Sequence, residues 1–196
     1  MKTCIDYYND NALAWAQRWY PDNSNIPHLK RFLEYINIQN PKILDLCCGA
    51  GYESMRLKEL GANVVGVDLS EKSIEIAKKQ NPEINFYVKD MLKPYSNLGK
   101  FDGIACIAGI VHLEEHQLEL AFKNMYDALA ENGYLLLVCK AQGENRYSTI
   151  ENNQEYARNF IFHSRQEIDK KAKKYFSFVE DLSPQTEWKF FIYKKI

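Results

Sequence analysis

The sequence has no excess of charge of either sign. Its 25 basic and 26 acidic side chains leave a formal net charge of −1 at pH 7. A protein without a positive field has little long-range attraction for nucleic acid or for an anionic membrane. This balance disfavours a nucleic-acid-binding protein and favours a small-molecule partner.

Long apolar runs are also missing. No window of the sequence approaches the roughly 18 apolar residues that a membrane-spanning helix needs. Residues 1–10 lack the apolar segment of about 7–15 residues that characterises a secretory signal. We therefore expect a cytoplasmic protein with no membrane contact. At 196 residues and 46% hydrophobic, the chain can bury one sizeable core, and we predict a single domain over 1–196.

The number of cysteines is odd. There are five, at Cys4, Cys47, Cys48, Cys106 and Cys139. The last four fall in segments that read as buried strands, which is typical of reduced thiols rather than of a disulfide framework. Adjacent residues on a strand point to opposite faces, so Cys47 and Cys48 are poorly placed to bind one metal ion together. We predict no metal site.

Strand-like and helix-like segments alternate along the middle of the chain. We predict strands at 42–47, 62–69, 84–91, 101–111 and 134–140, and helices at 52–60, 70–80 and 113–133. Two further helices are expected before residue 40, the first of them with Trp19 as a core residue. Strands that are apolar on both faces and alternate with amphipathic helices indicate a parallel sheet covered on both sides. The predicted fold is doubly wound α/β.

The last quarter of the chain has a different pattern. Residues 141–163 are polar and are predicted to be irregular, and long irregular segments usually carry function. A helix is expected at 164–176, followed by strands at 176–182 and 187–195. Only residues 183–186 separate these strands, so they can pair only as an antiparallel hairpin.

Acidic residues and glycines follow the first three predicted strands. Asp45, Gly49 and Gly51 form a D-x-x-x-G-x-G motif before a helix, where glycines allow a ligand close to the backbone and the helix offers free N–H groups. Asp68 ends the second strand about twenty residues further on, a spacing that suits hydrogen bonds to ribose hydroxyls. Asp90 ends the third strand. It could accept a hydrogen bond from an adenine amino group, so we expect an adenosine-containing ligand.

These motifs resemble those of class I S-adenosylmethionine-dependent methyltransferases of the small, single-domain kind. The matching segments are LDLCCGAG, VVGVDLS, VKDM, FDGIACIAGIVHL and LAENGYLLL. The resemblance implies a seven-stranded, mostly parallel, Rossmann-like sheet with an antiparallel terminal hairpin, and S-adenosylmethionine as the cofactor. It divides the chain into a helical cap (1–40), a cofactor-binding core (41–140), and an acceptor-side loop, helix and hairpin (141–196). The family often has glycine where this chain has Cys47.

The resemblance also assigns roles to individual residues. The N-terminal YYNDNALAW resembles a segment that covers the cofactor and would bring Tyr8 to its carboxylate or sulfonium. The glycines would pass under its methionine part, and the acids would bind its adenosine part. The complete predicted cofactor-binding set is Tyr8, Asp45, Gly49, Gly51, Asp68, Leu69, Asp90, Met91, Ile107 and Ala108.

The predicted reaction is methyl transfer to a small-molecule acceptor by in-line displacement, mainly through positioning. His112 is the candidate general base, and its alternative is a neutral histidine that only fixes a helix start. Arg146, Arg158 and His163 lie in a stretch that resembles the acceptor cover of tellurite-resistance-like methyltransferases. They suggest an anionic or polar acceptor, with solvated loop charges as the alternative.

Two other functions fit part of this pattern. An NAD(P)-dependent oxidoreductase would use the same loop and ribose acid, but it would need a third glycine where Ser54 stands. A non-catalytic S-adenosylmethionine-binding protein would keep the whole cofactor set. Binding and turnover measurements separate these three functions.

Overall fold

A seven-stranded sheet with helices packed on both faces forms the centre of the molecule. The computed structural model describes residues 1–184 and 187–196. The helices in this part of the chain are α1 (Cys4–Asp10), α2 (Ala12–Trp19), α3 (Ile26–Ile36), α4 (Tyr52–Glu59), α5 (Glu71–Gln80), α6 (Glu115–Ala128) and α7 (Arg165–Ala172). The strands are β1 (Lys42–Leu46), β2 (Asn63–Asp68), β3 (Asn85–Val88), β4 (Phe101–Ile107), β5 (Leu129–Lys140), β6 (Arg146–Glu151), β7 (Gln154–Phe160), β8 (Phe176–Asp181) and β9 (Trp188–Lys195).

The strand order of the large sheet is β3-β2-β1-β4-β5-β9-β8. The first five strands in this order are parallel, whereas β9 runs antiparallel to both β5 and β8. The predicted doubly wound, mostly parallel sheet with an antiparallel terminal hairpin is therefore confirmed. Of the predicted connection 183–186, residues 185 and 186 lie outside the described residues.

Residues of the inner strands alternate between two hydrophobic clusters, one on each face of the sheet. In β1, Leu44 and Leu46 belong to the cluster that includes α6 and α7. Ile43 belongs to the other cluster, with α3, α4 and α5. This alternation is the period of two that a strand imposes on its side chains. Truncating Leu44 to alanine would leave a cavity in the first cluster and cost about 2–5 kcal/mol of stability.

The strand order reverses at β1, which places β2 on one side of it and β4 on the other. The connections that follow β1 and β4 then leave on opposite faces of the sheet and open a crevice at its carboxyl edge. Helices α1 and α2 pack near α5, and α1 also contacts β7. The N-terminal helices and β7 therefore lie over this crevice.

The prediction that residues 141–163 form an irregular loop is wrong. Strands β6 and β7 pair as a separate antiparallel hairpin within this segment. Its turn is formed by Asn152 and Asn153, whose φ angles are 48° and 61°. Two consecutive left-handed residues give the turn whose twist matches paired strands, and asparagine tolerates that backbone better than most residues.

The N-terminal region contains three helices rather than the predicted two. The additional helix, α1, begins with a capping box in which the Thr3 hydroxyl accepts the Asp6 N–H and the Asp6 carboxylate accepts the Thr3 N–H. These bonds satisfy backbone groups that a helix start leaves unpaired. The Thr3-x-x-Asp6 pattern is the sequence signal for this helix.

Several predicted boundaries also differ from the structure, among them the end of the helix predicted at 164–176, since α7 ends at Ala172. Helix α6 ends at Ala128, and Leu129 already pairs with Phe101 in the sheet, so the predicted helix to residue 133 was too long. The third strand ends at Val88, which places Asp90 two residues beyond it. Strand β4 ends at Ile107, before a short 3₁₀ turn at 110–112. Within residues 1–184 and 187–196, no helix has the length and apolar character needed to cross a bilayer.

Candidate active site

A cavity of about 820 Å³ lies at the carboxyl ends of β1, β2 and β4, under α1, α2 and β7. Most of the sequence-predicted site residues line it. They are Tyr8, Gly49, Asp68, Leu69, Asp90, Met91, Ile107, Ala108, His112 and Arg158. The remaining predicted residues, Asp45, Gly51, Arg146 and His163, do not belong to the lining.

The turn after β1 brings backbone to the cavity wall. Cys47, Gly49 and Gly51 all have positive φ angles, of 65°, 53° and 85°. Glycine adopts this backbone without steric cost, whereas Cys47 pays a penalty for its Cβ. Its thiol lies 3.7 Å from the Met91 sulfur, while the Cys48 thiol is buried and lies 3.6 Å from the Gly49 carbonyl oxygen. The two thiols thus have separate surroundings.

Asp45 and Gly51 support the turn from behind the cavity. The Ser54 hydroxyl donates to the buried Asp45 carboxylate at 2.5 Å, which ties β1 to the first turn of α4. Burial raises the pKa of Asp45 to about 7, although the Ser54 hydrogen bond opposes this shift. A Cβ on Gly51 would lie 2.9 Å from the Phe86 ring and 3.0 Å from Ala77 Cβ. Glycine at this position therefore lets the turn pack against α5 and β3.

Asp68 joins the end of β2 to this turn. Its Oδ2 accepts the Gly49 N–H at 2.9 Å, and its Oδ1 accepts the Ser70 N–H at 2.9 Å. The carboxyl group is surrounded by protein but keeps some exposure to the cavity. Burial raises its pKa, and the backbone N–H groups of Ser70, Gly49 and Leu69 oppose that rise. A carboxylate offers about four lone-pair positions, so two remain for a ligand.

Asp90 and Met91 form another part of the wall, beyond the end of β3. The Asp90 carboxylate accepts the Leu92 N–H at 2.8 Å and shapes the turn there. The Met91 carbonyl accepts the side-chain amide of the buried Asn124 at 3.1 Å, which ties this turn to α6. The turn is thus held rigidly beside Leu69.

Tyr8, His112 and Arg158 form a hydrogen-bonded relay on the opposite wall. The Tyr8 oxygen lies 2.8 Å from both Arg158 Nη2 and His112 Nε2. Since arginine can only donate, the Tyr8 oxygen accepts from Arg158 and its own proton goes to His112 Nε2. His112 Nδ1 lies 2.7 Å from the Asn159 carbonyl oxygen, so Nδ1 carries the imidazole proton. These contacts assign the hydroxyl proton of Tyr8 and the imidazole proton of His112.

Tyr8 and His112 both keep one protonation state near neutral pH because of their surroundings. Burial lowers the pKa of His112 to about 4, and the positive charge of Arg158 acts in the same direction. Burial also raises the pKa of Tyr8, against the influence of Arg158. At pH 7 His112 is therefore neutral, Tyr8 is protonated and Arg158 carries the only charge of the three.

The other two predicted acceptor residues lie elsewhere. His163 is buried, with Nε2 at 2.9 Å from the Leu113 carbonyl oxygen and 3.2 Å from that of Ile110. Arg146 is exposed on β6, with its guanidinium 5.3 Å from the Phe160 ring centroid. Neither side chain lines the cavity, and their role in acceptor binding stays a prediction.

Sequence reasoning missed a set of aromatic side chains that line the cavity, which we term the aromatic compartment. The prediction of Trp19 as a core residue is wrong, because this side chain is half-buried at the cavity and stacks in parallel on Trp15, with 6.4 Å between ring centroids. The other aromatic side chains of this compartment are His28, Phe160, Trp188 and Phe190. They come from elements far apart in the sequence, and only the helical spacing of the tryptophans gave a signal.

Sequence reasoning also missed a contact that holds α1 over the cavity. The Asn9 side-chain oxygen accepts the Ser70 hydroxyl at 2.8 Å and the Lys72 N–H at 3.2 Å. It therefore caps free groups at the start of α5 and links that helix to α1. The capping pattern at Ser70 was visible in the sequence, but its partner on α1 was not.

Known proteins resemble this chain in sequence and in fold. Residues 43–133 match the family described as "Methyltransferase domain". The ubiquinone biosynthesis O-methyltransferase of Bordetella avium is 30% identical over 120 residues, covering 54% of this chain and 50% of that protein. Its mitochondrial counterpart in Schizosaccharomyces pombe is 29% identical over 149 residues, covering 68% of this chain and 53% of that protein. The chain thus spans about half the length of these curated relatives.

Solved structures extend the likeness to nearly the whole chain. A crystal structure of an S-adenosylmethionine-dependent methyltransferase from Clostridium acetobutylicum superposes with a TM-score of 0.75 and 16% identity, covering 96% of this chain and 98% of that one. At this identity the likeness shows the fold. Residues 43–133 thus resemble the methyltransferase-domain family, and the fold of the chain is the one found in S-adenosylmethionine-dependent methyltransferases of known structure.

Proposed function

We propose that the protein transfers a methyl group from S-adenosylmethionine to a small-molecule acceptor. The observation that carries this proposal is a single cavity that joins a buried carboxylate at the end of β2 to an aromatic compartment beside β7. The first part has the chemistry of an adenosine site, and the second has room for a separate organic molecule. Cavities of this size commonly enclose small ligands.

The donor and acceptor groups of the cavity fit the cofactor. Asp68 retains lone pairs that can accept two ribose hydroxyls, and Gly49 itself presents backbone without a side chain at the cavity wall. A Cβ on Gly49 would lie at an ordinary van der Waals distance of 3.4 Å from the Tyr52 hydroxyl oxygen, so glycine is favoured at this position by its positive φ of 53°. The role of Asp68 as the ribose acceptor and of Gly49 beneath the methionine part remains part of the proposal.

The turn beyond β3 would hold the adenine. Asp90 can accept from the exocyclic amino group, and Met91 and Leu69 offer apolar contacts to the ring faces. Ile107 and Ala108 line the cavity on the side of β4. Because Asn124 fixes the Met91 carbonyl, this wall would bind the base without rearrangement.

Catalysis would rest on positioning. When bound, S-adenosylmethionine supplies a methyl group on a positively charged sulfur, which leaves as a neutral thioether when an acceptor nucleophile takes the methyl. The protein's part is to orient the acceptor and to exclude water, and α1, α2 and β7 cover the cavity accordingly. Proximity and orientation can supply on the order of 7–11 kcal/mol of barrier lowering.

His112 fits a positioning role better than that of a strong base. Its Nε2 already accepts the Tyr8 hydroxyl, and its pKa of about 4 lies far below neutral pH. A general base works best when its pKa is close to the operating pH. We therefore propose that His112 fixes the Tyr8 hydroxyl, and that an acceptor with an already nucleophilic atom needs no proton removal by His112.

Isotope transfer tests the proposal directly. The protein is incubated with S-adenosylmethionine carrying a ¹³C-methyl group and with a small-molecule extract, and products are followed by mass spectrometry. We expect one or a few metabolites to gain the labelled methyl group, and Asp68→Asn to slow their appearance. Cofactor binding without transfer to any extract component would instead indicate a non-catalytic binding protein.

A further inference from the structure

Arg158 is the one member of the relay that keeps a hydrogen-bond donor without a partner. Its Nη2 donates to Tyr8, but its Nε is buried and has no acceptor. Within the described residues, no carboxylate forms an ion pair with this guanidinium, whereas Arg31, Arg56 and Arg165 each have at least one. The side chain also lines the cavity.

Aromatic rings surround the Arg158 charge in place of a counter-ion. The guanidinium carbon lies 4.4 Å from the Tyr7 ring centroid, 5.2 Å from that of Tyr8 and 5.4 Å from that of Phe160. Ring faces stabilise a cation but leave its N–H groups without oxygen acceptors. The buried Nε has no surface at the cavity, but the guanidinium also carries N–H groups on its outer nitrogens, and an anion in the cavity that paired with these would offset the cost of the unpaired charge.

We propose that the methyl acceptor is an aromatic molecule with an anionic oxygen group, and that Arg158 binds this group. The proposal rests on the methyl-transfer function given above and names its substrate class. Rings of the aromatic compartment, among them Trp15, Trp19, Trp188 and Phe190, would contact the ring of the acceptor. The guanidinium would set its orientation through a charge-assisted hydrogen bond.

The anion that Arg158 binds could instead be the carboxylate of the cofactor. Arg158 and the neighbouring Phe160 belong to β7, outside the elements that we assign to the cofactor, which favours the acceptor, whereas its partner Tyr8 is the residue that the sequence predicts to face the cofactor. The relay then continues through Tyr8 to His112, just after β4. The glycine turn after β1, which we assign to the cofactor, instead contacts Asp68. The experiment separates these two sources of the anion.

Titration calorimetry on the protein saturated with S-adenosylhomocysteine tests the charge preference. The probes are 4-hydroxybenzoate and 3,4-dihydroxybenzoate, each compared with its primary amide, which has the same shape and no charge. We expect the carboxylates to bind at least 10-fold more tightly than the amides. Equal affinity for the acid and its amide, or no binding of either, would overturn the proposal. Neither result would change the conclusion about cofactor binding.

Two variants then identify the residue responsible. Arg158→Gln should weaken carboxylate binding roughly 10- to 150-fold and leave amide binding within a few-fold. Arg165→Gln is the matched control, because this guanidinium also lies over an aromatic ring, at 3.6 Å from the Phe178 centroid, but outside the cavity. It should keep the acid-over-amide preference. Since the preference is measured first in the unmodified protein, a misfolded Arg158 variant would leave the main test intact.

Cofactor affinity separates the two anion sources. Arg158→Gln should bind S-adenosylhomocysteine and 5′-methylthioadenosine, which lacks the carboxylate, as tightly as the unmodified protein does. If the variant loses affinity only for S-adenosylhomocysteine, Arg158 binds the cofactor carboxylate and the proposal is wrong. If the unmodified protein binds no S-adenosylhomocysteine at all, the proposed function itself fails, and this inference fails with it.

Discussion

Replacement of Asp68 by asparagine is the sharpest single test of the adenosine site. In the structure each carboxylate oxygen accepts one backbone N–H, from Gly49 and from Ser70, both at 2.9 Å. The remaining lone pairs are the proposed acceptors of the ribose hydroxyls. Asparagine has the same shape but replaces one oxygen with an N–H donor. One backbone N–H group then faces another donor, and one ribose hydroxyl loses its charged acceptor.

The expected loss follows from these contacts. A hydrogen bond to a charged group contributes about 1.5–3 kcal/mol, so S-adenosylhomocysteine should bind roughly 10- to 150-fold more weakly. The free energy of unfolding should change less, because burial raises the pKa of Asp68 and the charge is therefore costly in the folded state. Affinity and stability should thus respond differently to the same substitution.

Titration calorimetry with S-adenosylhomocysteine and urea denaturation measure the two quantities. Asp102→Asn is a suitable control, because Asp102 also accepts a backbone N–H, from Lys42 at 2.8 Å, but lies at the amino end of β4, away from the cavity. This variant should bind S-adenosylhomocysteine normally. Unchanged affinity in a folded Asp68→Asn protein would refute the ribose assignment.

Three further substitutions test other parts of the structure. Asp45 has a pKa of about 7 instead of the usual value near 4, so its contribution to stability is lost as pH rises from 4 to 7. Urea denaturation should therefore show Asp45→Asn gaining up to about 4 kcal/mol relative to the unmodified protein between pH 4 and pH 8; a constant difference would refute this. Tyr8→Phe leaves two relay partners unpaired and should cost about 1–3 kcal/mol in urea denaturation, whereas the exposed Tyr147→Phe should stay within about 0.5 kcal/mol. Gly66→Ala would place a Cβ 2.4 Å from the Phe86 ring, and thermal unfolding should show a loss of about 1–3 kcal/mol; an unchanged midpoint would contradict the packing described for β2 and β3.

The central sheet could be predicted because each element carries its own pattern. Apolar strands and amphipathic helices alternate over residues 41–140, and that order restricts the chain to a parallel sheet. The sequence also predicts that acids at the ends of neighbouring parallel strands lie at one sheet edge, whereas the hydrogen bond from the Gly49 N–H to Asp68 was not predicted. Asp90 lines the same cavity as Asp68 although its strand ends two residues earlier, and its contact with adenine stays a prediction.

The acceptor side could not be predicted in the same way. The β6–β7 hairpin has no regular apolar alternation, and among its residues only Tyr156 is buried. Its one local signal was the Asn152-Asn153 pair at the turn. The relay depends on this hairpin, because it joins Tyr8 to residues 104 and 150 positions away in the sequence. Contacts of that separation follow from the completed fold and not from a local pattern.

The start of β5 shows a similar limit. Leu129 continues the apolar spacing of α6, and on that pattern alone it belongs to the helix. In the fold it pairs with Phe101 instead, and residues 130–133 are taken up by an irregularity with Asn132 at a φ of 62°. Sheet pairing thus overrides the helical spacing at the last turn.

Cofactor choice tests the central claim most directly. Titration calorimetry of the unmodified protein with S-adenosylhomocysteine and, separately, with NADH compares the two adenosine ligands that a glycine turn followed by a ribose acid can serve. A dinucleotide site would need a third glycine at position 54. This chain has Ser54 there, and its hydroxyl donates to the Asp45 carboxylate. We predict saturable binding of S-adenosylhomocysteine and none of NADH. Tight NADH binding without S-adenosylhomocysteine binding would contradict the account.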